Sequence, residues 1–323
     1  MKAAVVGANG VEIRDVARPV PGPAQVLVKV RAAGLNRADL TVASGRMHGG
    51  SGGPGTVVGM EFSGEVAEVG AEVKDIKPGD RVMCSGAAAY AEYALADFGR
   101  TAKIPANNMT FPQAATLPVA LQTMHDAVVT NGRLKDGEAI LIQGASSGVG
   151  LMAMQIAKFK GARLVIGSST NAERRARLTE FGADLAIDSS DPGWADQVLK
   201  ATDGKGVDLI VDQISASVAN NNLKATAVRG RIVNVGRLGG AKGEFDFDLH
   251  ALKRIDYIGV TFRTRSVEEV REINRRMRAD LWPAVEAGKL TLPIDRTFTL
   301  DEAAAALAHM KANKHLGKIV LTV

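Results

Sequence analysis

The stretch Ile140 to Gly150, reading ILIQGASSGVG, constrains this chain more than any other, because a short apolar run empties into a turn of small residues that opens a helix. The run Ala139 to Ile142 is apolar and bounded by turn residues, as expected for a parallel strand buried on both faces. From Val149 to Phe159 the residues Val149, Met152, Ala153, Ile156 and Ala157 recur at helical spacing until Gly161 closes the element. The first turn of a helix carries unpaired backbone N–H groups and the positive end of the helix dipole, which together attract an anion. Small side chains before it let the anion approach. The turn Ser146, Ser147, Gly148, Val149 is therefore expected to hold a dinucleotide pyrophosphate.

The spacing Ala145-x-Ser147-x-x-Gly150 puts Ala and Ser where the usual dinucleotide fingerprint has its first two glycines. An ordinary glycine-rich strand-to-helix turn is the plainer reading, and the next element counts against it. The apolar run Arg163 to Gly167 ends where NAD-binding domains place an acid against the ribose 2′-hydroxyl, yet this chain reads Ser168-Ser169-Thr170-Asn171. Glu173 is the first carboxylate, and Arg174, Arg175 and Arg177 follow it. Guanidinium groups suit a 2′-phosphate, so NADPH is predicted over NADH, with Ser168, Ser169 and Arg174 at the phosphate. A solvated helix face is the alternative for Arg175 and Arg177.

Further strand-like runs, Leu185 to Ile187, Val207 to Asp212, Arg231 to Val235 and Ile255 to Val260, alternate with helical segments. With the two runs above, they complete a doubly wound parallel sheet of the Rossmann kind, which binds its ligand at the carboxyl ends of the strands. Gln213-Ile214, Val235-Gly236-Arg237 and Phe262-Arg263-Thr264 fall at such ends and are expected to line the nicotinamide side, unless they are plain loop residues.

A length of 323 residues and 46% apolar content suit a globular chain of about two domains. Neither a signal peptide's apolar core nor a span of transmembrane length is read, so a cytoplasmic protein without a membrane partner is expected. A lone Cys84 excludes an intrachain disulfide and a multi-cysteine zinc lobe, and the five histidines lack metal-ligand spacing. No metal is expected. The net charge of +5 raises the question of nucleic acid. In the most basic stretch, Val267 to Arg278, Glu268, Glu269 and Glu272 precede Arg271, Arg275 and Arg276 at the spacing of helix-surface ion pairs, and no aromatics are interleaved. No nucleic-acid partner is expected.

The first 120 or so residues differ in texture, with alternating runs such as Gln25 to Arg31 and frequent Gly and Pro, which predicts a twisted, mostly antiparallel β domain. From Arg265 onward come a long helix, a strand near Asp295 to Phe298, a helix from Leu300 to Ala312 and a strand Lys318 to Thr322, which are expected to return to that domain. The division predicted is 1–122 plus 265–323 for the β domain and 123–264 for the Rossmann domain.

Several segments together resemble the medium-chain dehydrogenases/reductases and, within them, the zinc-free quinone oxidoreductases related to zeta-crystallin. They are Ala33 to Leu40 (AGLNRADL), Val58 to Val66 (VGMEFSGEV), Lys77 to Val82 (KPGDRV), the glycine turn, and Gly317 to Leu321 (GKIVL). The resemblance covers essentially the whole chain. It implies a GroES-like catalytic domain built from both chain ends, a Rossmann domain inserted between them, and often a homodimer joined through the last Rossmann strand.

Zinc-dependent relatives carry Cys where this chain resembles them at Asn36, and His where it has Met60. Without both there is no Lewis acid to polarise an alcohol or carbonyl, so the acceptor must be electrophilic by itself, as quinones and conjugated enones are. The protein then has to orient the acceptor and offer hydrogen bonds to the developing oxyanion. By the resemblance, Asn36 lies at the nicotinamide ribose or substrate edge as the catalytic candidate, while Thr123 and Lys318 stand near the cofactor. A helix N-cap is the alternative for Asn36 and a snorkelling strand-end lysine for Lys318. Met47, Met60 and the Gly49 to Gly55 loop suggest an adaptable substrate pocket.

Two departures from the family pattern matter. Many of these reductases carry a Tyr where Met47 stands, and relatives often have a Tyr near the adenosine phosphate where this chain has Asp188 and Ser189. A missing Tyr favours quinone over enone reduction, because a quinol oxygen takes its proton from water whereas carbon needs a donor. Reduction of alkenals or other enones, with His48 or a water as donor, is the rival. A structural or regulatory NADPH-binding protein with little turnover is the alternative outside enzymology.

Overall fold

All four residues of the strand Ala139–Ile142 are buried, as a strand covered by helices on both faces must be. In the computed structural model, which describes residues 1–323, it lies inside a six-stranded parallel sheet. The order is Leu185–Ile187, Leu164–Ser168, Ala139–Ile142, Val207–Asp212, Thr226–Asn234, Asp256–Gly259. The order reverses beside Ala139–Ile142, the switch point at which doubly wound sheets bind nucleotides. Parallel neighbours need crossovers, and the helices Gly148–Phe159, Ala172–Ala176, Trp194–Ala201, Ala219–Ala225 and Phe247–Lys253 fall between the strands. Leu141, Ile166, Ile210, Ile232, Trp194, Val198 and Leu223 form one core of this unit.

One strand differs at its start. It begins at Thr226, paired with Val207, rather than at Arg231, and Arg229 then takes a left-handed φ of 63° where the register shifts. The polar residues Arg229 and Gly230 conceal this first segment from a search for apolar runs.

The chain divides into two units, Met1–Gln122 with Phe262–Val323, and Thr123–Thr261. The return therefore falls before Phe262 rather than after Thr264, because the last parallel strand already ends at Gly259. Phe262, Arg263 and Thr264 belong to the first unit, where a Cβ placed on Gly49 would stand 3.8 Å from the Arg263 Cα.

A seven-stranded sheet organises the first unit, in the order Ile294–Thr299, Lys318–Thr322, Gln25–Gly34, Glu61–Val69, Arg81–Ser85, Thr101–Lys103, with Tyr93–Asp97 also pairing with Gln25–Gly34. Every pairing is antiparallel except that of the first two strands. The hairpin Lys2–Gly7 and Gly10–Asp15 packs beside it. Val28, Val30, Leu35, Phe62, Val66, Val82, Tyr90, Ile319 and Leu321 fill the core, so strands from both ends of the chain share one apolar interior.

The long C-terminal helix, Val267–Glu286, is capped by Ser266 and carries the expected pairs of Glu272 with Arg275 and Arg276. Arg271 departs from that pattern and forks onto Asp97 at 2.7 and 2.9 Å. No helix of the chain is long and apolar enough to cross a membrane.

Gly64 marks the tightest sheet contact. A Cβ there would lie 2.0 Å from the Lys29 carbonyl oxygen, a backbone atom that cannot swing aside. Gly64→Ala is expected to lower stability by about 1–3 kcal/mol as overpacking does; urea unfolding that matches the unsubstituted protein would refute it.

Candidate functional site

Pairing of Lys318–Thr322 with Gln25–Gly34 sets Val320 opposite Gly34, and the Leu35 N–H bonds the Ile319 carbonyl. This register carries Lys318 alongside Asn36, just past the end of the neighbouring strand. The Lys318 side chain is 5% exposed, and its ammonium donates to the Asn36 Oδ1 at 3.0 Å and to the Glu61 Oε1. Asn36 Nδ2 donates to the same Glu61 Oε1 at 2.8 Å, while Glu61 Oε2 accepts the Val119 N–H at 2.9 Å. Lysine, amide and carboxylate thus close a triangle. Lys318 does not snorkel to water, and Glu61 is fully buried.

Asn36 also precedes the helix Arg37–Ala43 as its N-cap, with φ −128° and ψ 149°. Its side chain makes no cap hydrogen bond because it is held by Glu61 and Lys318. Asp39 supplies the reciprocal contact, its Oδ2 accepting the Asn36 N–H at 2.8 Å and the Tyr90 hydroxyl at 2.7 Å. Asn36 is half-buried and its amide has a second N–H besides the one given to Glu61. It is therefore a donor held at fixed geometry.

The second constellation is the turn Gly144–Gly150. Gly144 takes a φ of +71°, which a side chain resists, and the Ala145 N–H bonds the Ser168 carbonyl at 2.8 Å. Ser147 caps the helix Gly148–Phe159, its hydroxyl accepting the Gly150 N–H at 3.1 Å and donating to Gln213 Oε1 at 2.9 Å. A Cβ on Gly150 would stand 2.6 Å from the Gly144 carbonyl oxygen, so only glycine lets the helix start against the turn. The first-turn N–H groups lack intrahelical acceptors, and Ser146 to Val149 are half-buried rather than covered. This cradle and its donors fit a pyrophosphate.

Beneath the turn, Gln143, Ser168, Asp212, Gln213, Asn222 and Asn234 are buried polar residues. Ser168 Oγ accepts the Gly144 N–H and donates to Gln143 Oε1, so this hydroxyl is spent within the protein. Gln143 bonds Asn222, and Asn222 bonds Asp212. Asp212 Oδ1 accepts the N–H groups of Ile214 and Ser215, and burial pushes this carboxyl upward despite those bonds. Val235 and Gly236 donate to the Asp212 carbonyl, placing their loop against Gln213.

Ser169 Oγ donates to Ser146 Oγ at 3.0 Å, linking the two strand ends. Arg174 and Arg175 are both half-buried on the helix Ala172–Ala176. Arg175 Nη1 donates to the Ser169 carbonyl at 2.8 Å and to Asp188 at 2.9 Å, whereas Arg177 pairs with Glu180 on the surface. Arg175 thus ties the end of the strand Leu164–Ser168 to Asp188.

Thr123 is half-buried on the helix Pro118–His125. Met47 is 63% exposed, Met60 is half-buried, and Arg263 and Thr264 are exposed. His48 bonds Ser51 through its backbone, and burial followed by the charge of Arg263 pulls its imidazole below the usual histidine range. Cys84 is buried and its thiol is pushed up to about 12 by that burial. No group of three or more His, Cys, Asp or Glu is arranged to hold a metal ion.

Glu61, Asp39 and Tyr90 are the participants that the sequence did not single out. Glu61 and Asp39 stand inside its informative motifs, Gly59-Met60-Glu61 and Arg37-Ala38-Asp39, as acids among apolar neighbours. That is a visible signal of buried, partnered charge.

Two family profiles match the chain, the alcohol dehydrogenase GroES-like domain over residues 22–106 and the zinc-binding dehydrogenase over residues 148–278. Rat quinone oxidoreductase is 30% identical over 312 residues, covering 95% of this chain and 92% of that one. A mycocerosic acid synthase-like polyketide synthase of Mycobacterium tuberculosis is also 30% identical, over 95% of this chain, which spans only 14% of that protein. Among solved structures, a mycobacterial protein complexed with NADPH superposes with a TM-score of 0.87 at 27% identity, each chain covered completely.

Lys318→Met keeps the length of the side chain but leaves the buried Glu61 with only the Asn36 amide and the Val119 N–H as partners. A stability loss of roughly 3–5 kcal/mol is expected for breaking a buried pair, read by chemical denaturation; an unchanged midpoint would show that Glu61 does not depend on Lys318.

Proposed function

Because this chain belongs to the medium-chain dehydrogenase/reductase superfamily, in its quinone-oxidoreductase-like branch, we propose that it is an NADPH-dependent oxidoreductase that passes a hydride to a quinone without a metal. The observation that carries this reading is the Asn36–Glu61–Lys318 triangle, in which an amide held by a lysine and a carboxylate occupies the place of a zinc ligand in zinc-dependent relatives. Met60 at the second such place is a thioether on a half-buried residue. These residues do not fit zinc, which takes thiolate, imidazole and carboxylate ligands.

The overall reaction is NADPH + H⁺ + quinone → NADP⁺ + hydroquinone, and the cofactor supplies the hydride from its nicotinamide C4. The chain's own residues bind and orient. Backbone N–H groups at Gly148 and Val149 would hold the pyrophosphate, with Ser146 and Ser147 beside them and Gln213, Val235 and Gly236 in the adjoining loops. Ser169, Arg174 and Arg175 take the 2′-phosphate, and Ser168 fixes the turn from below. The second N–H of the Asn36 amide donates to the acceptor oxygen as it gains charge, with Lys318 polarising that amide. The other side chains assigned here are Thr123, Phe262, Arg263 and Thr264 near the cofactor, and Met47 and Met60 at the substrate. The unit 1–122 with 262–323 is accordingly the catalytic domain and 123–261 the cofactor domain.

Proton supply separates this from a second reading, reduction of a conjugated enone, which the match of nearly the whole chain to a polyketide synthase segment favours. Burial and the charge of Arg263 disfavour the protonated His48 imidazole that would donate to carbon, whereas a quinol oxygen is protonated by water. A homodimer is part of this proposal. The strand Asp256–Gly259 ends its sheet, largely exposed, with Phe247 at 75% and Leu252 at 73% exposure nearby, an edge that a second copy is suited to cover. The lone buried Cys84 accords with a reducing compartment such as the cytoplasm.

NADPH oxidation is to be measured against an ortho-quinone and an α,β-unsaturated ketone, with NADH as the paired control. Faster quinone turnover with NADPH is expected, and faster enone turnover would promote the second reading. Arg175→Ala is expected to raise the KM for NADPH without raising that for NADH; a parallel rise in both would remove Arg175 from the 2′-phosphate. Asn36→Ala is expected to cost about 100-fold in kcat, as loss of an oxyanion donor does.

A further inference from the structure

Asp39 is 1% exposed and one of its two carboxyl oxygens is idle. Oδ2 accepts both the Asn36 N–H and the Tyr90 hydroxyl, while Oδ1 is buried without a hydrogen-bond partner. The helix that carries it packs against the strand Lys2–Gly7 and the helix Ala303–Lys311. On those elements Lys2 pairs with Asp301, His309 pairs with Asp295, and Lys311 is exposed. The titratable groups that face Asp39 are therefore Tyr90, Glu61 and Lys318. Glu61 and Lys318 cancel as an ion pair. Asp39 alone decides whether the buried set is neutral or carries one negative charge.

We infer that Asp39 is a positioning residue for the reaction: it fixes Asn36 through the backbone N–H, anchored by Tyr90, and its charge state sets how readily the adjoining amide accommodates an anion. This rests on the reading that Asn36 donates to the acceptor. In that step the C4–H bond of NADPH breaks and its electron pair passes with the hydride to the quinone. NADPH is oxidised, the quinone oxygen becomes anionic, and solvent supplies the proton. A neutral Asp39 leaves the anion unopposed, whereas an ionised one repels it across a buried, weakly screened distance.

Burial pushes the Asp39 carboxyl up to about 7, with Glu61 adding to the rise and Tyr90, Asn36 and Lys318 opposing it. Turnover is thus expected to fall as pH rises through about 7. The same titration leaves a thermodynamic mark. With a folded value above the unfolded 3.8, the folded protein holds the extra proton between these values, so stability is lost as pH rises between about 4 and 7.

The test uses Asp39→Asn, which keeps an oxygen acceptor for Asn36 and Tyr90, and Tyr90→Phe, which removes a bond that favours the ionised form. For Asp39→Asn, kcat for NADPH and quinone is expected to lose its step near pH 7 while KM stays close to the unsubstituted value. For Tyr90→Phe the step is expected to move to higher pH. Thermal melts between pH 4 and 9 are expected to show the Tm advantage of Asp39→Asn widening up to about pH 7 and then levelling. An unchanged step in both variants, or a Tm difference independent of pH, would overturn the inference. Should Asp39→Asn fail to fold, the position of the Tyr90→Phe step decides alone. Asn36→Ala separates the two ideas: full turnover sinks the Asn36 reading, whereas impaired turnover with the pH step intact in Asp39→Asn sinks only the role of Asp39.

Discussion

The first unit depends on a buried charge pair whose partners come from opposite ends of the chain. Glu61 has no access to water, so its charge is tolerable only because Lys318, Asn36 and the Val119 N–H together satisfy both oxygens. Lys318 reaches it because the last strand pairs with Gln25–Gly34 in one register; a slip of one residue would turn its ammonium to the other face. Glycine enforces the approach. A Cβ on Gly34 would sit 2.3 Å from the Ala115 carbonyl and 2.8 Å from Glu61 Oε1. Sheet register, chain closure and the chemistry of Asn36 are thus one constraint.

The second unit reaches the same end with uncharged groups. Its turn must expose N–H groups, which leaves it few contacts of its own, so rigidity comes from below through Ser168, Gln143, Asn222 and Asp212. Hydrogen bonds linked in this way hold loops at two strand ends in one arrangement, and a half-satisfied network would be worse than an apolar one. Ser215, with φ 69° and ψ −116°, sits at the end of this network and is held there by Asp212, Asn234 and the Gly236 carbonyl. Strain of this kind persists only where the surroundings over-determine it.

Much of this was legible in the sequence because burial on both faces writes itself as apolar runs. Ala139–Ile142, Leu185–Ile187, Val207–Asp212 and Lys318–Thr322 all follow from such runs, and the glycine turn from its small residues. Thr226 to Gly230 was hidden because a strand that opens with a bulge and polar residues has no period to detect. The site divides similarly. Residues fixed by local chain geometry, such as Ser147 and Gly150, could be named from spacing. The partners of Asn36 lie 25 and 282 residues away, and no local pattern encodes which distant acid and lysine will meet. Arg175 meets both the Ser169 carbonyl and Asp188, and because neighbouring residues on a helix point about 100° apart, composition alone leaves open which arginine of the run makes a given contact.

Asn36 does two things that pull in different directions. As an N-cap it would spend its side chain on the helix that follows, yet that side chain is committed to Glu61 and Lys318, and the capping contact is made in reverse by Asp39. Asp39 can do so only by entering the core, where Tyr90 is its one further donor and Oδ1 has none. Freeing the Asn36 amide for other work therefore transfers the cost to a buried carboxyl that resists ionisation. In a cluster of an amide, an ammonium and two acids, the protonation of a single acid changes a large fraction of the total charge. This is why the electrostatics of this unit turn on a residue one layer behind the amide.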